Sequence, residues 1–241
     1  GLGYAGADPT ADVEGHDAGA KIAIIATLAF GAEVVADDVY LEGISGVTAD
    51  DIEAAAHLGF CIKLLAVAEC RDDEIGVRVH PTLVPIDHPL AAVNDSFKAV
   101  FVEGDAVGEV MLYGRGAGGR PTASAVFGDL IDAAGNSARG HGAPIGSLER
   151  ARISPIADLE TAYYLALDVD DEPGVLARVA AVFGDHDVSI RSMEQVGQGG
   201  EARITFITHR ARESDMQATQ DDLRGVDAVR NVGSVLRALG D

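Results

Sequence analysis

Lysine is scarce in this chain: it occurs only at positions 21, 63 and 98, so basic charge rests almost wholly on arginine. Basic charge is short altogether. Eighteen Lys plus Arg face 39 Asp plus Glu, a net charge of -21, and such a surface repels phosphate backbones and anionic membranes. Nucleic acid and membrane partners are therefore not expected. Cys61 and Cys70 are the only cysteines. They are too few for a disulfide framework and form no CxxC or Cys/His spacing, which points to a reducing, cytoplasmic setting and no metal site. Long apolar runs are also lacking. Stretches such as Ile22 to Phe30 fall short of the roughly 20 residues that cross a bilayer, and residues 1 to 20 are acidic rather than signal-like. What is abundant is hydrophobic residues, 47% of 241, enough for one large or two modest cores.

Periodicity predicts a helix over Asp17–Phe30, with Ile22, Ile25, Leu28 and Ala29 near helical spacing and Gly31 as its stop. The apolar turns suggest a largely buried helix whose polar first turn opens into a cleft. Val39 to Ile44 reads as a strand. Thr48 with Asp51 is an acidic variant of the capping box, opening a helix that ends near Gly59. Phe60 to Ala68 and Glu74 to Pro85 read as strands, His88 to Val93 as a turn or short helix, and Ser96–Glu103 with Glu109–Tyr113 as a hairpin. Gly114 to Gly119 leads to Pro121, in the first turn of a helix running to about Ala134.

Residues 135 to 155 show no period and read as a linker holding the domain boundary. Beyond it, Tyr163, Leu165, Leu167 and Val169 alternate as in a half-buried strand, and Val175, Leu176, Val179, Val182 and Phe183 make a helical stripe closed by Gly184. Val188–Val196 and Glu201–Thr208 are strands, Ser214 with Gln217 is a capping box, and Val232 to Leu236 closes the unit. The order βαββαβ is the ferredoxin-like arrangement, an antiparallel sheet with two helices on one face. The expected fold class is α+β: a mixed or antiparallel-sheet domain over residues 1–150, then a ferredoxin-like domain over 160–241.

Polar chemistry concentrates in the first 21 residues: Tyr4, Asp8, Asp12, Glu14, His16, Asp17 and Lys21, spaced by Gly3, Gly6 and Gly15. Asp8-Pro9 is a good helix start. Asp17 and Lys21, at i and i+4, share a helix face, and as a plain surface pair they contribute only about 0.3 to 0.5 kcal/mol.

The run Gly3 to Lys21 resembles the substrate-site signature of homoserine dehydrogenases. Further similar segments follow in order: Asp38-Val39-Tyr40 with Glu42-Gly43-Ile44, Ile62 to Ala66, His80-Pro81, His88 to Ala91, and Gly116-Ala117-Gly118 with Pro121 to Val126. The resemblance implies interconversion of homoserine and aspartate semialdehyde with NAD(P), in an enzyme built from a nucleotide-binding domain, a substrate and dimerisation domain and, in many members, a C-terminal ACT domain. It gives Lys21 the role of catalytic proton-transfer group, Asp17 that of its partner at the substrate, and places Tyr4, Asp8 and Asp12 near the substrate's amino-acid end. Gly6 stands where family members usually have Glu, so a carboxylate for the substrate ammonium is absent. Lys98 and Arg115 replace an expected Asn and Pro. The chain starts inside the signature, and the expectation is a piece lacking the nucleotide-binding segment, paired as a homodimer or higher homo-oligomer.

Gly114, Gly116 and Gly119 satisfy GxGxxG, yet no second strand with an acidic end follows about 20 residues on, so a nucleotide-binding unit is not expected here. By resemblance, Gly116, Ala117 and Gly118 lie in a loop where substrate and nucleotide domains meet, with residues 114–134 returning towards the latter. A tight turn needing positive φ is the plain alternative. Asp171-Glu172-Pro173-Gly174-Val175-Leu176 resembles the D-x-P-G-V-L turn of ACT domains, and Ser189-Ile190 the facing strand. Asp171, Gly174, Val175, Leu176, Ser189 and Ile190 are thus expected to bind a small amino acid, threonine, at a helix N-terminus. The rival reading is a stand-alone amino-acid-binding regulator keeping a remnant catalytic site.

Overall fold

Glycine turns and apolar alternation place most elements of the computed structural model, which describes residues 8–142 and 147–240. In chain order they are α1 (Thr10–Val13), α2 (His16–Phe30), β1 (Tyr40–Leu41), α3 (Ala49–His57), β2 (Phe60–Arg71), β3 (Glu74–Pro85), β4 (Phe97–Gly104), β5 (Gly108–Arg115) and α4 (Gly119–Ala138). Then come β6 (Arg152–Ile153), β7 (Glu160–Asp170), α5 (Val175–Asp185), β8 (Ile190–Gln198), β9 (Glu201–Thr208), β10 (Ala211–Arg212), α6 (Glu213–Leu223) and β11 (Val229–Ala238). The fold is α+β, with a mixed sheet and a separate two-stranded one.

Two compact units emerge. Among the described residues, one comprises 11–85 and 150–240, the other 8–10, 86–142 and 147–149. In the first, the strands run β1-β3-β11-β7-β9-β8, with β2 and β6 also on β3 and β10 on β7. Its ferredoxin-like portion has the expected order, β11-β7-β9-β8 antiparallel throughout. That portion does not stand apart. Arg237 and Ala238 of β11 pair in parallel with Thr82 and Leu83 of β3, so one sheet joins strands on both sides of the domain boundary expected within residues 135–155.

Three apolar clusters hold this unit. Tyr163, Leu165, Leu167 and Val169 of β7 face Val175, Val179 and Phe183 of α5 and Met216 and Leu223 of α6. The opposite face of the same strand, Ala162, Tyr164 and Ala166, packs with Ile207, Leu236, Leu83 and Ala55 of α3. β7 is therefore buried on both faces rather than half-buried, because α3 supplies a cover that alternation alone does not announce. The third cluster seats Ile22, Ala23 and Ala26 of α2 on Ile75, Val77 and Val79 of β3.

Several local expectations are corrected. The buried stripe of α2 is Gly19, Ile22, Ala23 and Ala26, while Leu28 and Ile24 are exposed, so the helix is covered on one face only. The strand expected over Val39–Ile44 shrinks to two residues, preceded by a 3-10 turn at Ala36–Asp38. Ser214 does not cap α6: the helix starts one residue earlier, and the Ser214 hydroxyl donates to Asp215. The end of the linker is tied down as well, since β6 pairs with β3 and the Arg150 guanidinium forks onto Asp38, both bonds 2.7 Å.

The second unit holds the β4–β5 hairpin, with Phe97 stacked on Tyr113 at 4.8 Å, and α4, which buries no residue. Val126, Phe127, Leu130 and Ile131 of α4 are all exposed. No helix among the described residues is long and apolar enough to cross a membrane.

Candidate active site

The chemistry-bearing turn is built from the backbone outwards. The Asp8 carboxylate accepts from the backbone N–H and hydroxyl of Thr10, at 3.0 and 2.6 Å, and starts α1. The Thr10 hydroxyl, then the Thr10 amide, hold its pKa below the usual carboxylate value. Beyond α1, Gly15 opens α2 with φ +81°, and a Cβ there would lie 2.8 Å from Cγ1 of Val79. Glycine is needed for both reasons: left-handed backbone and close approach to β3.

Asp17 and Lys21 then project from the first turns of α2 as a hydrogen-bonded ion pair, Nζ donating to Oδ1. Their side chains are 62% and 46% exposed for Lys21 and Asp17 respectively. The expected burial of this helix is thus not found: packing onto β2 and β3 uses the other face, and the pair stands open on the surface of its unit. Asp12 is exposed beside the same turn, its carbonyl accepting from the Gly15 amide at 3.3 Å. Tyr4 and Gly6 lie outside the described residues.

A second segment buttresses the turn. The Ile44 amide donates to the Val13 carbonyl at 2.8 Å, the Ser45 hydroxyl donates to the Glu14 carboxylate, and a Cβ on Gly43 would sit 2.9 Å from the Glu14 Cα. This explains the glycine in Glu42-Gly43-Ile44. Behind it, on the β3 face away from α2, lies a polar cluster that sequence pattern did not single out. Arg237 binds Glu42 and Glu213, Arg78 binds Glu69 at 3.2 Å, and the Thr82 hydroxyl lies 2.9 Å from Nδ1 of buried His80. Burial first, then the charges of Arg237 and Arg78, push the His80 pKa down to about 3, so it stays neutral. The available signal was arginine within apolar strands, at Arg78 and Arg237.

In the other unit, Gly118 has φ +119° at the start of α4 and Gly116 is pressed against the Lys98 side chain. Arg115 lies over the Phe97 ring, 4.8 Å from its centroid. The strand before this loop belongs to an antiparallel hairpin, and α4 does not lead into a parallel neighbour of it. Among the described residues, Gly116, Ala117 and Gly118 therefore do not open a βαβ nucleotide unit. Among the described residues there is no cluster of His, Cys, Asp or Glu able to hold a metal ion.

The second candidate region is the turn before α5. Gly174 caps that helix with φ +89°, leaving its first amides without a side-chain cap. Asp171 accepts from Gln195 at 3.2 Å and lies against Gly197, where a Cβ would be 2.6 Å from Oδ2. Val175 is buried in the α5–sheet core and Ile190 packs against it, whereas Leu176 and Ser189 reach the surface. The six residues therefore divide: Asp171, Gly174, Leu176 and Ser189 are exposed, and Val175 and Ile190 belong to the core beneath them.

Comparison with known proteins agrees with this layout. The family model for homoserine dehydrogenase matches residues 1–131, and that for the ACT domain matches residues 163–228. The chain is 50% identical over 244 residues to the homoserine dehydrogenase of Corynebacterium glutamicum, covering 98% of this chain and 54% of that protein. It is 49% identical over 251 residues to that of Mycobacterium tuberculosis, covering 99% and 57%. The crystal structure of a homoserine dehydrogenase from Thiobacillus denitrificans superimposes with a TM-score of 0.91 at 39% identity, covering 98% of this chain and 56% of that one. One from Staphylococcus aureus gives 0.73 at 30%, covering 100% and 57%. The chain thus spans about half the length of these relatives. The chain belongs to the homoserine dehydrogenase family, with an ACT domain at residues 163–228.

Proposed function

We propose that this chain is the substrate-binding and regulatory part of a homoserine dehydrogenase, interconverting L-homoserine and L-aspartate 4-semialdehyde with NAD(P) when completed by a nucleotide-binding segment. The observation that carries this reading is the Asp17–Lys21 pair, hydrogen-bonded yet open on the first turns of α2 inside the signature run. When bound, NAD(P) supplies the hydride acceptor or donor. In the reducing direction the Lys21 ammonium gives a proton to the carbonyl oxygen as it becomes a hydroxyl. In the oxidising direction the amine form takes that proton back. Such transfer is worth about 10² to 10⁴-fold in rate. Asp17 holds Nζ in place. Tyr4 and Asp12 are assigned to the amino-acid end of the substrate, where a carboxylate suits an α-ammonium, and Asp8 helps by shaping the turn.

In this reading residues 1–150 form the substrate and dimerisation part, with 114–134 leading back to the nucleotide-binding segment. The exposed apolar residues of α4 support that, since such a face favours a protein neighbour. Residues 160–241 form the regulatory part, with threonine as effector at Asp171, Gly174, Leu176 and Ser189. The assembly is a cytoplasmic homodimer or higher homo-oligomer. The test is calorimetry with NAD, NADP and threonine, plus a homoserine oxidation assay, on this chain and on its full-length version. The isolated chain is expected to bind threonine but neither dinucleotide and to show no turnover, whereas the full-length protein oxidises homoserine. A full-length protein without that activity would reject the reading.

A further inference from the structure

Arg237 joins the two functional regions through its side chain. It lies on β11, at register with Tyr163 of β7 on one side and Thr82 of β3 on the other. Its side chain is 6% exposed, and each guanidinium nitrogen has a carboxylate partner. Nε and one terminal nitrogen fork onto Glu213 of α6 at 2.9 and 2.6 Å, and the other terminal nitrogen reaches Glu42 at 2.6 Å. The Tyr163 hydroxyl donates to the same Glu213 at 2.8 Å, and the Tyr40 ring centroid is 5.5 Å from the guanidinium.

Stability alone is a poor reason for this arrangement, because a buried ion pair can often be exchanged for apolar side chains without loss. What it does is specify position. Glu42 is 35% exposed, and the Arg237 contact holds its carboxylate inward. The Glu42 amide is fixed to the Val79 carbonyl at 2.8 Å, and the next three residues are those that grip Val13 and Glu14. Glu14 adjoins Gly15, the start of the helix carrying Asp17 and Lys21. The whole line, from α6 through Arg237 and Glu42 to the head of α2, lies in one compact unit.

We propose that Arg237 is a positioning residue for the substrate site: through Glu42 it clamps the Glu42–Ser45 segment against Glu14 and so sets the turn that presents Asp17 and Lys21. The inference rests on the functional reading above. Because Arg237 also grips α6, it is a side-chain link between the ACT fold and the substrate turn, beside the β3–β11 pairing.

The test uses the full-length enzyme with Glu42→Ala, Glu42→Gln and Arg237→Lys. Glu42→Ala should raise the homoserine KM about tenfold while kcat stays within about twofold, the loss of one charged hydrogen bond. Backbone amides of Gly15 and Gly19, which donate to Asp12 and Gly15, should exchange with solvent faster. Glu42→Gln, which still accepts from Arg237, should restore most of both. A merely structural loss would lower the melting temperature without this KM-against-kcat split or rescue. Unchanged KM and unchanged exchange in Glu42→Ala would overturn the proposal. Should that variant fail to fold, Arg237→Lys is read by the same two measurements against the same outcomes. A wild-type enzyme without homoserine turnover would reject the functional reading instead, and the exchange measurement would still decide whether the clamp exists.

Discussion

Two ion-pair systems lie in the same unit and behave as opposites. Lys21 and Asp17 meet in the open, with most of the lysine side chain in solvent, while Arg237 is almost wholly enclosed between Glu42 and Glu213. An open pair costs little to make and little to break, so it is free to trade partners with a ligand. An enclosed one has already lost its water, and removing one member leaves the others stranded. The first arrangement suits chemistry and the second suits holding shape.

The largest expected effect breaks the enclosed system. Arg237→Met leaves two carboxylates uncompensated and should cost about 3 to 5 kcal/mol in urea unfolding of this chain. A cost near zero would mean that water reaches the cluster. On the open side, Lys21→Ala should lower turnover of the full-length enzyme by at least about 10²-fold, yet change stability by less than about 0.5 kcal/mol. Near wild-type turnover would remove Lys21 from the chemistry, and a large stability loss would remove the contrast between the pairs.

Gly6→Glu sharpens the same side by adding the carboxylate that the signature usually carries. It should lower the homoserine KM, since a charged hydrogen bond is worth about 1.5 to 3 kcal/mol. An unchanged KM would count against that role for the missing carboxylate and leave Asp8 or Asp12 as the candidate.

Acid gives the smallest test. His80 is held neutral, with a pKa of about 3 against an ordinary 6.5. Between those values the unfolded chain binds a proton that the folded chain refuses. Stability therefore falls as pH drops from about 6.5 towards 3, by at most about 1.4 kcal/mol per unit. Asp38 and Asp51 also have lowered pKa values, but their contribution, present at neutral pH, is lost only further into acid, below about 5. Urea unfolding at pH 7, 6 and 5 should thus show a slope that His80→Gln flattens. Equal slopes would show that the histidine is not desolvated.

Much of this was legible because local pattern and tertiary role coincided. Glu74–Pro85 and Glu201–Thr208 match their strands end to end, since both run apolar between turn residues. The Thr48–Asp51 capping box closes as written, with Asp51 also accepting from Ser234 at 2.7 Å. The Asp17–Lys21 pair follows from helical spacing alone. Distant partners decided what was not legible. β11 runs past Leu236 to Ala238, and Arg237 is buried there only because Glu42 and Glu213 arrive from 195 and 24 residues away. Ser214 failed as a cap because the chain enters helix at Glu213, whose side chain is drawn to Arg237 and Tyr163.

The doubly covered strand β7 bears on how such an enzyme could acquire its regulator. A domain that is added by gene fusion as a bead on a string brings its own finished surface. Here Ala162, Tyr164 and Ala166 would be laid bare if α3 were removed, and β3 would lose the β11 neighbour that continues its sheet. Transplanting residues 160–241 onto another enzyme would therefore carry an unfinished apolar face with it. A working chimera should need α3 and the end of β3 in the same graft.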